Sequence, residues 1–238
     1  MDGVINLDKP VGMSSAAAVS RVKRLLARGT KIGHAGTLDP LATGVLLLLI
    51  GKATKRCEML MGEPKQYETT AKLGATTATN DADSPEIVAA VQRQPGRGEI
   101  EKAVAAMVGI IQQRPPAFSA LKIGGRPAYE LARRGKPVEL EPRSVRIDAI
   151  EILSWQWPFL RMRIDCGRGT YIRAIARDLG ETLKCGGYLT ELRRTRIGGF
   201  DIRRAVTLEQ LNQQGVAPYL QPISLLDPQY PQQGRQND

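Results

Sequence analysis

The sequence predicts an α/β body carrying inserted basic loops and a short tail. Three observations point there. Apolar runs of strand length alternate with segments of helical periodicity, no internal repeat or linker divides the chain into equal domains, and a hydrophobic fraction of 42% suits a packed core. A chain of 238 residues is enough for one substantial core, or for one core with a small appendage. Aromatic residues make up only 5%, so Leu, Ile, Val and Ala must fill that core.

Val4-Ile5-Asn6-Leu7 reads as a short strand ending at Lys9-Pro10; Gly12 turns the chain, and Ser14 or Ser15 can cap the helix that follows. In that helix Val19, Val22, Leu25 and Leu26 recur at helical spacing, while Arg21, Lys23, Arg24 and Arg28 can face water. Gly33, Gly36, Asp39, Pro40 and Gly44 then fall at intervals matching neither regular period, which predicts a loop over residues 33–43. The apolar run 45–50 reads as a strand buried on both faces. A loop held beside such a strand keeps its side chains both fixed and accessible, the usual setting for chemistry.

Residues 65–74 alternate as a strand with Tyr67, Thr69, Ala71 and Leu73 on one face. Residues 77–85 are polar and turn-like, 94–98 make a connector, and 100–108 suit a helix with Ala103, Val104 and Met107 inward. Arg114-Pro115-Pro116 ends regular structure. The next stretch, 117–135, mixes Lys122, Arg126, Arg133 and Arg134 with Phe118, Tyr129 and two adjacent glycines, predicting an extended arm with a short helix over 128–133. Strands follow at 145–153 and 159–166, then a helix over 171–183 with Ile172, Ile175, Ala176 and Leu179 inward. A strand at 189–197 and a short helix at 208–211 complete the body, and the Gln-, Pro- and Gly-rich run after Leu226 is expected to fray.

The formal net charge of +10 favours a polyanionic partner. It is unevenly spread. Residues 1–60 hold nine Lys/Arg against four Asp/Glu, and residues 120–204 hold eighteen against ten, whereas 61–119 and 205–238 are slightly acidic. The two basic stretches form one face only if the fold brings them together. Cys57, Cys166 and Cys185 make no CxxC pair, and His34 is the single histidine, so neither a zinc set nor a disulfide scaffold is expected. No nicotinamide fingerprint or P-loop is present, so no cofactor is expected. The N-terminus lacks the pattern of a signal peptide, and the longest apolar run is far short of the ~20 residues of a membrane span. A cytoplasmic, monomeric protein is the expectation.

By residue type alone, Asp39 in a Gly/Pro loop is a turn former. The longer string changes that reading. Gly33-His34-Ala35-Gly36-Thr37-Leu38-Asp39-Pro40-Leu41-Ala42-Thr43-Gly44-Val45-Leu46 resembles the signature of the bacterial tRNA pseudouridine synthases of the TruB type, which modify the uridine at position 55 in the T loop. Leu7-Asp8-Lys9-Pro10-Val11-Gly12-Met13-Ser14-Ser15 resembles that family's opening motif, and Lys65-Gln66-Tyr67 its Lys-x-Tyr motif. Residues 77–83 are similar to its Thr/Asp-rich loop, with Ser84 where a glycine is usual. Residues 114–122 and 128–135 resemble the basic insertion that grips the RNA arm, and Cys166-Gly167-Arg168-Gly169-Thr170-Tyr171-Ile172-Arg173 a further motif, with Gly167 replacing a serine. The ordered matches span roughly residues 3–200.

This resemblance implies a catalytic domain over residues 1–212 with an RNA-binding insertion at about 115–142, and a tail over 213–238. Its sheet would be central, mixed and mainly antiparallel, flanked by helices. Relatives continue into a C-terminal RNA-binding domain, so a shortened form is expected. The resemblance makes Asp39 the essential carboxylate and places Arg173 beside it, where a guanidinium would keep it ionised. Read without the resemblance, Arg173 is an exposed helical arginine or a phosphate contact. Tyr67 is implied to stack under a flipped uracil, a role a half-buried strand tyrosine need not have. Tyr171 would pack around the carboxylate or the base, Leu192 would be pocket wall or plain core, and His34 would touch RNA or organise its own loop. Lys9, Lys31, Lys122, Arg126, Arg133, Arg134, Arg193, Arg194 and Arg196 are expected to recognise RNA backbone. The partner implied is the tRNA T arm, without guide RNA. Pseudouridylation of another structured RNA, or RNA binding without catalysis, are the competing functions.

Overall fold

The computed structural model describes residues 1–119, 121–135, 138, 140–222 and 224. The run expected to fray after Leu226 lies outside these residues. The chain is mixed α/β, with helices packed on a mixed sheet.

Strand β1 (Gly3–Lys9) is followed by helix α1 (Ser15–Lys23), which Ser14 caps by accepting a hydrogen bond from the Ala17 amide at 3.1 Å. Strands β2 (Ile32–Ala35) and β3 (Thr43–Ile50) come next. The sequence predicted loop from residue 33 onward, but residues 33–35 are strand because they pair antiparallel with residues 47–49 of β3. A single sequence carries no sign of such a pairing. A 3-10 turn (Gly51–Arg56) and helix α2 (Cys57–Gly62), a segment that periodicity left unassigned, precede β4 (Lys65–Leu73). On β4, Tyr67, Thr69, Ala71 and Leu73 share the buried face, as the alternation predicted. Short strands β5 (Ala75–Thr77) and β6 (Glu86–Val88), helix α3 (Arg97–Ala105) and β7 (Gly109–Gln113) follow. The basic arm is a two-residue hairpin, β8 (Lys122–Ile123) with β9 (Arg126–Pro127), running into α4 (Ala128–Arg133). Gly124 and Gly125 between the strands both have positive φ, so the hairpin needs glycine there. Long strands β10 (Arg143–Gln156) and β11 (Phe159–Cys166) lead to α5 (Ile172–Thr182), β12 (Gly187–Ile197), β13 (Phe200–Asp201) and α6 (Leu208–Gln214).

The chain forms two compact units, residues 1–65 with 193–238, and residues 66–192. In the first, β3 pairs antiparallel with β1 and β2, and parallel with β12 at Arg193 and Arg194. That makes β3 a central strand, buried along almost its whole length as its run of aliphatics requires. Val4, Ala35, Val45, Leu47, Leu49, Ala53, Leu60 and Ile197 form the core here. In the second unit the strand order is β4-β11-β10-β7, with β10 antiparallel to both β11 and β7. Helix α5 buries Ile172, Ile175, Ala176 and Leu179, the stripe its spacing predicted.

Candidate active site

In the first unit, the loop between β2 and β3 carries Asp39, half-buried, and is tied down on every side. Ser15 did not become the helix cap. It is buried, and its hydroxyl accepts from the Leu38 amide at 2.8 Å and donates to the Leu38 carbonyl at 3.0 Å. The residue before Asp39 is thus gripped through both its backbone polar groups. The residue after it, Pro40, accepts from the Gly12 amide at 2.8 Å, and the Asp39 carbonyl accepts from Ala42 at 3.1 Å. Gly36, at φ +84°, turns the chain out of β2.

Two cations stand behind this loop, and neither is placed as expected. Lys9 and Arg194 were expected to meet RNA backbone. Lys9 is fully buried and donates to the carbonyls of Pro10 at 2.8 Å and Met13 at 2.6 Å. Arg194 is 1% exposed and donates to the carbonyls of Val45 at 2.7 Å, Gly36 at 2.9 Å and Thr37 at 3.5 Å. A buried charge has to find polar partners inside the protein, and both do so on the backbone of this loop and its approaches. Burial pushes the Lys9 ammonium down from 10.5 to about 8; Asp39 and Asp8 oppose the fall, and Arg194 adds to it. Burial, and then Arg194, also lowers His34 below the usual imidazole range, which favours its uncharged form. His34 belongs to β2, opposite Leu48.

Arg193, the strand neighbour of Arg194, points the other way. Its guanidinium grips Asp8 at 2.7 and 3.2 Å and reaches the Thr43 hydroxyl at 3.2 Å, with 41% of its side chain exposed. Arg196 is half-buried opposite Asp201, and Lys31 is exposed.

In the second unit, Tyr67 and Leu192 are each 8% exposed. Arg173 is also buried, at 4%, so it is neither an exposed helical arginine nor a free phosphate contact. It donates to the carbonyls of Thr79 and Phe118, each at 2.8 Å, and lies 3.3 Å from the carboxylate of Asp81. Asp81 is the centre of the Thr/Asp-rich loop. Its carboxylate accepts from the Thr79 hydroxyl and from the Asp83 amide at 3.1 Å, and its carbonyl accepts from Thr77 at 2.7 Å. Ser84, standing where the family usually has glycine, accepts from the Thr79 amide at 3.1 Å and so joins the same network. Nothing in the structure explains Gly167, since an added Cβ would make only ordinary contact with Arg146 at 3.5 Å.

Tyr171 is held by its backbone. The side chain of Gln113, fully buried, accepts from the Tyr171 amide at 2.8 Å and donates to its carbonyl at 3.1 Å. Arg143 covers the ring at 5.0 Å from its centroid. Lys122, Arg126, Arg133 and Arg134 on the arm are all exposed, and Arg133 lies 5.6 Å from the Tyr129 ring centroid. Sequence reasoning missed Ser15, Asp81, Gln113 and Arg143, which act by holding other residues; Asp81 and Ser15 lay inside quoted motifs, and that was the available signal. Among the described residues no group of three His, Cys, Asp or Glu side chains could hold a metal ion, and no helix is long and apolar enough to cross a membrane.

Residues 23–172 match the profile of the TruB family pseudouridylate synthase N-terminal domain, and residues 173–222 that of the tRNA pseudouridylate synthase B C-terminal domain. The chain is 48% identical to tRNA pseudouridine synthase B of Pseudomonas fluorescens over 211 residues, covering 89% of this chain and 68% of that one. It is 50% identical to the protein of the same name from Aromatoleum aromaticum, with the same coverage. Among solved structures, a chain of a Cbf5-Nop10-Gar1 complex superposes with a TM-score of 0.70 at 30% identity, over 90% of this chain and 54% of that one. A chain of an H/ACA RNP bound to a substrate RNA containing 2'-deoxyuridine gives 0.69 at 26% identity, over 94% and 60%. This chain therefore spans little more than half the length of those two solved chains. With a family profile covering most of its length and relatives near half identity, the chain belongs to the TruB family of pseudouridylate synthases.

Proposed function

We propose that this protein isomerises uridine to pseudouridine at position 55 in the T loop of tRNA, with Asp39 as the reacting carboxylate and no cofactor. The observation that carries the reading is the backbone anchoring of residues 36–42 around a half-buried Asp39, close enough to the buried Lys9 ammonium for the two charges to act on each other. The reaction breaks the bond between uracil N1 and ribose C1′, turns the base, and joins C5 to C1′; the C5 proton leaves and N1 regains one. An ionised carboxylate serves either as nucleophile or as the electrostatic partner of positive character on the sugar. Both tasks need a fixed, charged oxygen.

Tyr67 is the stacking platform for the extruded uracil, whose release from the T loop costs a few kcal/mol that pocket contacts return. Leu192 lines the same pocket. Arg173 sustains the rate by ordering the Thr/Asp-rich loop through Thr79 and Asp81, and His34 contacts RNA. Lys31, Arg196 and the exposed cations of the arm recognise RNA backbone, which suits a partner read by shape.

Mapping pseudouridine at nucleotide resolution after incubation with an unmodified tRNA transcript tests this. Product at the T-loop uridine, with tritium released from C5-labelled RNA and none from Asp39→Ala, is the expected result. No product under conditions where the RNA binds would sink it. The structural likeness to a chain from an H/ACA RNP bound to substrate RNA supports a second reading, modification of another structured RNA. Faster turnover of a ribosomal fragment than of the isolated T arm would favour it.

A further inference from the structure

We propose that Arg194 is a positioning residue for the Asp39 carboxylate, clamping both stems of the loop that carries it. This rests on the reading of Asp39 as the reacting carboxylate. One guanidinium bonds the carbonyls of Gly36 and Thr37 on the incoming stem and of Val45 on the outgoing one. A flexible loop would let its carboxylate wander, and here a single planar group ties the two ends together. Lysine could not do the same, because an ammonium is a point donor whereas the guanidinium presents a fixed fork.

The backbone of Arg194 closes the clamp from the other side. It pairs in parallel with Gly44, and a Cβ on Gly44 would lie 2.1 Å from the Arg194 carbonyl oxygen. On the incoming stem an added Cβ at Gly36 would rest in ordinary contact with the guanidinium at 3.4 Å. Both glycines have positive φ, +84° and +98°, so the loop is shaped at each end around this one residue. Burying a cation among neutral carbonyls is costly, and the bonds to Gly36, Thr37 and Val45 are what make the burial tolerable. Its charge also acts on Lys9, as does that of Asp39, so the three groups share one neighbourhood.

The test compares Arg194→Lys, Arg194→Met and Gly36→Ala with wild type and Asp39→Asn. It measures single-turnover pseudouridylation at saturating tRNA transcript and, separately, Kd for the same RNA. Misplacing a reacting group by about an ångström costs roughly a hundredfold in rate, so Arg194→Met should lose about that much and Arg194→Lys about tenfold. Kd should stay within about threefold in each, because Arg194 is not presented to RNA. Gly36→Ala, which strains the incoming stem at φ +84°, should show the same split. Should Arg194→Met fail to fold, the other two variants decide. Rates within twofold of wild type for Arg194→Lys and Gly36→Ala, or Kd weakening in step with the rate, overturn the proposal. If Asp39→Asn keeps its turnover, it is the underlying reading of the carboxylate that fails.

Discussion

Arg173 and Asp81 hold each other at 3.3 Å with only 4% and 3% of their side chains exposed, which makes them a buried ion pair in the second unit. The arginine also donates to two carbonyls, and the aspartate accepts from a hydroxyl and an amide. Such a pair is strongly asymmetric in its energetics. Removing one partner strands a charge in low dielectric, whereas removing both does not.

Arg173→Met and Asp81→Leu should therefore each destabilise the fold by about 3–5 kcal/mol, and the double variant by clearly less than their sum. Denaturant unfolding of the four proteins checks this. Additive losses would show that the two side chains act independently.

Asp39→Asn removes the negative charge while keeping the size and shape of the side chain, and turns one acceptor oxygen into an NH2 donor. Turnover should fall by more than about a thousandfold with Kd for RNA changed less than about threefold. Filter binding beside tritium release measures the two. Parallel losses would assign Asp39 to binding.

Lys9 gives a pH signature. Its ammonium is lowered from 10.5 to about 8 in the folded protein, so between those values the unfolded chain binds more protons. Stability must then rise with pH across that window, and the cost of the buried charge is present in full below pH 8. Relative to Lys9→Met, the wild type should gain on the order of 3 kcal/mol between pH 8 and pH 10.5. Unfolding curves of both proteins at several pH values test the sign. A constant difference would mean that Lys9 titrates normally.

The arm offers the opposite behaviour, binding without stability. Arg133 and Arg134 are exposed, so replacing both by Ala should leave the melting temperature within a few degrees of wild type. If each meets a phosphate, the slope of log Kd against log salt should shrink by roughly one to two. An unchanged slope would remove both from the RNA contact surface.

Gly44 is the backbone test. At φ +98° with the Arg194 carbonyl against it, Gly44→Ala has neither the conformation nor the space it needs. A loss of several kcal/mol, or failure to accumulate as soluble protein, is expected. A normal melting curve would show that β3 and β12 part easily at this point.

Much of this protein was legible from its residues in order. A two-residue period placed Tyr67 on the buried side of β4, and a helical stripe placed Ile172, Ile175, Ala176 and Leu179 inside α5, because both signals are local geometry. Ordered motifs identified the family, and the loop around Asp39 stood out for its glycines and proline. Partners distant in sequence were another matter. Arg193 and Arg194 read as one basic cluster, yet a strand sends adjacent side chains to opposite faces, so one grips Asp8 and the other disappears beneath the loop. Lys9 likewise carries a charge that composition assigns to the outside, and only the carbonyls of Pro10 and Met13 make its burial tolerable. Strand pairing decided that residues 33–35 are β-structure, and packing decided which cations face water. Local pattern fixes what a segment can become; which polar groups end up without water, and what then satisfies them, depends on segments as distant in sequence as Gly36 and Arg194, 158 residues apart, meeting in three dimensions.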